Sequence, residues 1–474
     1  MCEILGRSKE ISLLREYENS GKSEFVAIYG RRRVGKTYLI RQLYEAQFAF
    51  EVSGIIDGED QDQLKVFTEA LDKQGCNIIT PPNDWFEAFA FLRTLLERRK
   101  RKKRLILFID EMPCFDSYGS KFVKALDHFW NGWAAQQKNI MLIVCGSATS
   151  WMVKNIIDNH GGLHNRITHE IHLHPFTLNE TELYLKEHHF NWNRLAIAQT
   201  YMIMGGIPYY LSLLNHTESL PQNIDRLFFA DQAEMHREYN RLFKSLFHNS
   251  EPYLNILQQL TQKKSGMTRD EIADALHLTS GGGLTSRLSD LVYCDFIRCY
   301  YTKEKKIKAK SAIYQITDFF TVFYHSFCLA PTTNPSFWTS TIDKPLQNTW
   351  FGLAFERLCM AHIPQIKKAL HIDSIQTNFY SWRSKHSSPA AQIDLIIERA
   401  DQVINVCEAK YSQKEYAIDK DEDLRLRNRY FSFKEETATR AAIHPVMIST
   451  YGLRHNMYSD FITSEVTLDD LFDN

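Results

Sequence analysis

The stretch "YGRRRVGKTYLI", Tyr29 to Ile40, opens with a glycine, sets three arginines in a row and closes with glycine, lysine and threonine. Ahead of it, "EFVAIYG" is a short apolar run ending at Gly30, the pattern of a buried strand feeding a turn. Behind it, "KTYLIRQLYEA" spaces Tyr38, Leu39, Leu43 and Tyr44 as an amphipathic helix does. Strand, loop and helix in that order form the context a phosphate-gripping loop requires. Gly30 and Gly35 let backbone N–H groups turn toward phosphate oxygens, and the helix N-terminus adds its positive end. Lys36 reaches the β and γ phosphates and Thr37 offers a hydroxyl to Mg²⁺. Because the backbone does the cradling, the side chains of Arg31, Arg32 and Arg33 are expected in solvent, the alternative being contact with nucleotide or a partner.

Working outward, a phosphate loop needs an acidic companion, and "RLILFIDEMP" supplies it. Four apolar residues, Leu105 to Phe108, lead through Ile109 to Asp110 and Glu111. A buried strand that delivers Asp110 to its C-terminal end provides the Mg²⁺ shell, and Glu111 can polarise an attacking water. A third apolar run, "NIMLIVCGSATSW", ends in Cys145, Gly146 and Ser147, which puts the Ser147 hydroxyl within reach of a γ phosphate.

In this order the motifs resemble those of prokaryotic, archaeal-type P-loop ATPases of the AAA and STAND-like group. The resemblance rests on the "LGRSKEI" box (Gly6, Arg7, Glu10), GRRRVGKT, "LILFIDE", "CGSATSW", the arginine of "GLHNRIT" and "GGIPYYL", and it spans nearly all of residues 1–220. It implies an α/β fold, a parallel sheet with helices on both faces, with a helical lid from about 176, and ATP and Mg²⁺ as cofactors. The candidate ATP-binding set is then Gly30, Arg33, Gly35, Lys36, Thr37 and Tyr38, with Gly206 and Pro208 near the adenine. By the same resemblance Arg166 is an arginine finger, acting in cis or from a neighbouring subunit, while Thr37 and Asp110 hold the metal and Glu111 and Ser147 serve the reaction.

Other features of this segment read as scaffold. Phe122, Leu126, Phe129, Trp130 and Trp133 share one helical face, a core stripe. Asp84 followed three places on by Glu87 caps the helix of "WFEAFAFLRTLLE". The basic run Arg98 to Arg104 reads as a solvated connection.

From about 221 to 329, "EPYLNILQQL", "MTRDEIADALHL" and "LTSRLSDLVYCDFI" read as three short helices, the second capped by Thr268 and Glu271, with "TSGGG" as a turn. Two strands with a basic tip follow. This is the order of a winged helix-turn-helix, a module that follows the nucleotide domain in the group named above. Lys303, Lys305, Lys306, Lys308 and Lys310 of the tip would neutralise DNA phosphates without reading sequence. A purely intramolecular regulatory wing is the alternative.

After the turn-forming "APTTNPSFW", residues 330–474 hold a second chemical constellation. "NTWFGLAFERLCMAHI" is an amphipathic helix carrying Glu356, with Trp350, Leu353, Ala354 and Leu358 on its apolar side. In "AQIDLIIERADQVINVCEAKYS" two apolar runs flank Ala400, Asp401 and Gln402, which suit a tight reversal. Folding about Asp401 lays Asp394 opposite Glu408, and strand alternation sends Glu408 and Lys410 to one face. Carboxylates are ligands Mg²⁺ prefers, and a nearby lysine can orient or deprotonate metal-bound water. The pattern resembles the PD-(D/E)XK nuclease superfamily, an α/β restriction-endonuclease-like fold. The resemblance implies Asp394, Glu408 and Glu356 as metal ligands and Lys410 as a catalytic residue. Ile393 stands where that motif often has proline. In the charged helix of "KDEDLRLRNRYFSFKEE", Arg425, Arg427 and Arg429 read as a solvated face or a phosphate track.

Composition bounds the rest. A chain of 474 residues predicts roughly three domains. A formal net charge of −1 means that any nucleic-acid surface must be local. The nine cysteines include no CxxC pair and no zinc-like cluster, so they read as free thiols in a reducing cytosol. With no spanning apolar run, the expectation is a soluble cytoplasmic ATPase whose nucleotide state controls a DNA-cleaving or DNA-gripping domain, alone, as a homo-oligomer or with a partner protein. The alternatives are a nucleotide-dependent switch with a silent nuclease fold, and an ATPase that senses protein or small ligands without nucleic acid.

Overall fold

The apolar run ahead of the phosphate loop is strand β1 (Glu24–Tyr29), buried up to its last residue. In the computed structural model it lies in a sheet with β2 (Phe48–Ser53), β3 (Leu105–Asp110), β4 (Ile140–Gly146) and β5 (His169–His172). The order is β2-β3-β4-β1-β5 and every pairing is parallel. Parallel sheets covered on both faces need apolar residues at consecutive positions, and β3 and β4 are buried at every residue. The structure describes residues 4–99, 104–147, 149–157, 163, 166–247, 249–263, 265–278, 281–301, 312–330, 333–384 and 391–473.

Two compact units divide the chain. The first takes the described residues of Met1–Pro175 together with Arg241–Ser250 and Ser289–Asp295; the second takes Phe176–Asn240, Glu251–Leu288 and Phe296–Asn474. The division thus falls inside the helices Glu234–Leu246 and Gly282–Tyr293.

The first unit packs its sheet with α1 (Ser8–Asn19), α2 (Lys36–Tyr44), α3 (Asp60–Lys73), α4 (Trp85–Arg98) and α5 (Phe122–Gly132). The Asp84 side chain accepts the Glu87 N–H at 3.0 Å, the cap expected for α4. The stripe of α5 is buried as expected, Phe122 and Leu126 completely. Trp85 meets Phe122 edge to face at 4.8 Å and donates its indole N–H to Asp60 at 2.8 Å, so its polar end is satisfied inside the core. Each such ring contributes about 1.5–3 kcal/mol by burial. The basic run departs from its solvated reading at both ends. Arg99 bonds the carbonyls of Ala49 and Gln74, and Arg104 bonds those of Lys22 and Tyr17.

In the second unit, helices Glu251–Gln262 and Arg269–Ala275 accompany a three-stranded antiparallel sheet of β6 (Met267–Thr268), β7 (Ile297–Tyr301) and β8 (Ala312–Ile316), ordered β6-β8-β7. Thr268 and Glu271 form the expected reciprocal cap. Gly282 and Gly283, expected in a turn, instead begin the helix Gly282–Tyr293. The lysines 303, 305, 306, 308 and 310 lie outside the described residues.

The C-terminal part of this unit is a mixed sheet of β9 (Thr377–Arg383), β10 (Gln392–Arg399), β11 (Val403–Lys410), β12 (Ala442–Ser449) and β13 (Ser464–Thr467), in the order β13-β12-β11-β10-β9. β10 pairs antiparallel with both β9 and β11, while β12 is parallel to β11 and β13. A parallel neighbour needs a long crossover, and the helix Lys420–Thr437 provides it. The helix Pro345–Ala361 buries Trp350, Ala354 and Leu358 as expected, but Leu353 is 44% exposed, and Phe351 and Phe355 fill the apolar face instead. No helix among the described residues is long and apolar enough to cross a membrane.

Candidate functional site

Adjacent parallel strands β3, β4 and β1 bring their carboxyl ends together, and the first unit's candidate chemistry gathers there. β1 hands the chain to Gly30, whose φ is 145° and where a Cβ would stand 2.3 Å from the Leu173 carbonyl oxygen, so only glycine fits. Gly35, with φ 92°, precedes α2 and has nothing within 4 Å of where a Cβ would lie, leaving an open backbone cradle at a helix start. Lys36 is buried, and its ammonium donates to the carbonyls of Gly30 at 2.8 Å and Arg31 at 3.0 Å. Burial pulls its pKa below the ordinary lysine value, with Glu111 the strongest of the charges opposing that.

Thr37 donates its hydroxyl to Asp110 Oδ2 at 2.9 Å, and Asp110 Oδ1 accepts the Glu111 N–H at 3.0 Å. Burial raises the Asp110 pKa; the Thr37 hydrogen bond and Lys36 work against it. Glu111 holds a left-handed conformation, φ 46°, and its Oε2 accepts both the Ser147 hydroxyl at 2.8 Å and the Ser147 N–H at 3.2 Å. A left-handed backbone at the residue that the sequence motif leads one to expect in water activation fits the habit of functional sites to hold such conformations. The set suits a magnesium nucleotide: an ammonium resting on loop carbonyls, a hydroxyl paired with a carboxylate, and an uncovered turn at a helix start.

Three arginines carry more than their position in the sequence suggests. Arg31, expected in solvent, is 2% exposed, and Arg33 is half-buried with φ 75°. Arg7 is buried and donates to the Val34 carbonyl at 3.1 Å, tying the N-terminal box to the loop. Three identical residues in a row give no signal as to which one turns inward. Tyr38 is 53% exposed beside the loop. Arg166 is largely exposed, its Nε 3.8 Å from Asp127 of α5. Gly206 and Pro208 belong to the second unit. There the Gly206 carbonyl accepts the Phe176 N–H at 2.6 Å, a Cβ would come within 2.0 Å of the Phe176 oxygen, and Pro208 opens a short helix.

In the second constellation the hairpin has the expected register. Leu395 faces Cys407, so Asp394 comes opposite Glu408 one step further on. Lys410 Nζ lies 2.9 Å from Glu408 Oε1. The four groups nonetheless fall into two pairs. β10 shifts register against β9 between Ile393 and Ile396, and Asp394 Oδ2 accepts the Ala409 N–H at 3.4 Å. Asp394 and Glu356 line a cavity of about 150 Å³ with Arg298, Arg357 and Ser381. Glu408 lines a separate cleft with Arg429, to which it is ion-paired, and Lys410 also pairs with Glu422 at 2.9 Å. Burial pulls the Lys410 pKa down, but Glu408 and Glu422 outweigh it and hold the ammonium charged. That state suits orienting a water rather than deprotonating it. Sequence reading left Glu422 unmarked and treated Arg429 as a solvated face or phosphate track.

The parallel five-stranded sheet and the loop at the carboxyl end of β1 give the first unit an α/β fold like that of P-loop ATPases. Residues 4–214 match a family described as an ATPase domain predominantly from Archaea. Over 370 residues the chain is 25% identical to "Uncharacterized protein MJECL04" of Methanocaldococcus jannaschii, covering 77% of this chain and 78% of that one. Among solved structures, the Walker-type ATPase PABY2304 of Pyrococcus abyssi is 18% identical with a TM-score of 0.47, covering 68% of this chain and 96% of its own. The ORC2 protein of Aeropyrum pernix, solved as ADPNP–ADP complexes, is 15% identical with a TM-score of 0.41, covering 73% and 95%.

Proposed function

We propose that this protein binds and hydrolyses ATP with Mg²⁺, and that its nucleotide state controls a C-terminal nuclease-like site acting on DNA. The observation that carries the first half is the paired arrangement beside Lys36: Thr37 on Asp110, and Glu111 on Ser147. When bound, the magnesium nucleotide supplies an electrophilic terminal phosphorus with its charge partly neutralised. The residues present bind and orient it. Loop N–H groups and Lys36 hold the phosphates, Thr37 and Asp110 hold the ion, and Glu111 takes a proton from the attacking water, with Ser147 as the group that restrains it. Arg166 at the transition-state charge completes the reading by family resemblance. Lys36→Ala is expected to abolish ATP turnover; unaltered turnover overturns the reading.

For the second half, Asp394, Glu408 and Glu356 would hold a divalent cation and Lys410 would orient a water, with the lysines 303–310 meeting DNA phosphates. The hairpin register supports this. Asp394→Ala is then expected to remove metal-dependent cleavage of duplex, single-stranded or branched DNA while sparing ATP turnover. The ion pairs Arg429–Glu408 and Lys410–Glu422 favour a second reading, in which the nuclease-like fold is silent and the protein is a nucleotide-dependent switch that binds DNA or a partner protein. Binding without cleavage in the same assay supports that reading.

A further inference from the structure

Beyond the nucleotide site, the first unit brings two histidines and an aspartate from distant parts of the chain to one point. β5 ends at His172, His174 follows two residues later, and the two imidazoles lie on the same side. The residue between them is fixed: Leu173 is fully buried and donates its N–H to the Tyr29 carbonyl at 2.8 Å. The His172 ring stacks on Tyr29 at 4.8 Å, and the two imidazole centroids are 3.9 Å apart. Asp295 arrives from just beyond the helix Gly282–Tyr293, turned by a left-handed φ of 59°. Its Oδ2 lies 2.9 Å from His172 Nε2 and 3.6 Å from His174 Nδ1, and one ligand atom from each of the three residues lies within 4.8 Å of the others.

We propose that His172, His174 and Asp295 form a site for a first-row transition-metal cation of the Zn²⁺ class. Ligands about 2.0–2.2 Å from a tetrahedral ion stand about 3.3 Å from one another, and the two observed spacings bracket that value. Two imidazoles and one carboxylate select Zn²⁺, Co²⁺ or Ni²⁺ over Mg²⁺, which takes oxygen ligands, so the site does not compete for the ion of the nucleotide. Three protein ligands leave one position for water. An ion pair of both imidazoles with the one carboxylate oxygen, which has two lone pairs, is the alternative, and the titration distinguishes it from a metal site. An ion here would staple the end of β5 to the segment Ser289–Asp295, both within the first unit.

The test uses the tag-free full chain, stripped of metal with EDTA and titrated with Co²⁺ in the visible. One equivalent with the d–d bands of tetrahedral Co²⁺, displaced by Zn²⁺ and indifferent to excess Mg²⁺, is the expected result. His174 is largely exposed, so His174→Gln should leave the metal-free circular dichroism and melting temperature unchanged. The same substitution should weaken Co²⁺ binding by roughly tenfold or more. Zn²⁺ should also raise the melting temperature of the parent chain, and of His174→Gln far less at the same concentration. Absence of the d–d bands, or binding that His174→Gln leaves unchanged, overturns the proposal.

Discussion

Gly30 shows how narrow the tolerance is where the phosphate loop leaves its strand. Its φ of 145° is unfavourable for any other residue, and the Leu173 carbonyl occupies the place of a Cβ. Gly30→Ala should therefore lower stability by about 1–3 kcal/mol and displace the carbonyl on which Lys36 rests, read by denaturant unfolding together with nucleotide affinity. Glu111 makes a different demand. If it serves as the base, Glu111→Gln should reduce ATP turnover by about 100-fold or more while nucleotide affinity stays within a few-fold, as calorimetry and a phosphate-release assay would report. Lys36, Thr37, Asp110 and Glu111 were legible in the sequence because each stands at a fixed offset in a short motif whose strand and turn are equally local. Arg31 and Arg7 were not, since burial of an arginine depends on which carbonyls the fold brings to it.

At the scale of elements, the β10–β11 hairpin was legible because its turn residues and apolar runs count out one register. The irregularity between Ile393 and Ile396 was not, because consecutive apolar residues hide a change of alternation. That irregularity coincides with Asp394 and Glu356 lining one cavity while Glu408 and Lys410 pair with the crossover helix.

A second element-level contact is open to a direct pH test. His362, fully buried, accepts the Leu178 N–H at 3.2 Å while its Nδ1 lies 2.9 Å from the Leu358 carbonyl, a neutral imidazole joining two helices. Burial lowers its pKa from 6.5 to about 4. Between those values the unfolded chain binds the proton and the folded chain does not. The contribution is therefore complete above pH 6.5 and lost as the pH falls through 4, with a magnitude of about 3 kcal/mol. His362→Gln should flatten the dependence of unfolding free energy on pH across that window. His325, also lowered to about 4, should leave a residual slope.

At the scale of the whole molecule, motif order cuts the chain at about 220 and 329, whereas packing gives two units that exchange segments. Nothing in "LTSRLSDLVYCDFI" marks its last turn as part of another core, because an amphipathic stripe does not name the surface that buries it. In the first unit Asp290 of this turn pairs with Lys154 and accepts the Ser150 hydroxyl, and Asp295 pairs with His172. A fragment ending at Pro175 would leave those groups without their partners, each lost bond costing about 1–3 kcal/mol. Such a fragment should melt lower and bind more of a hydrophobic dye than the full chain; a sharp transition at the full-chain temperature would refute this.

The interleaving of segments also sets a timetable for biogenesis. The nucleotide-binding half cannot finish folding on the ribosome when its own strands have emerged, since Ser289–Asp295 is still to be translated. At elongation rates of about 5–20 residues per second the wait is on the order of ten seconds. During that interval the nascent sheet is exposed to chaperones with one of its seams open.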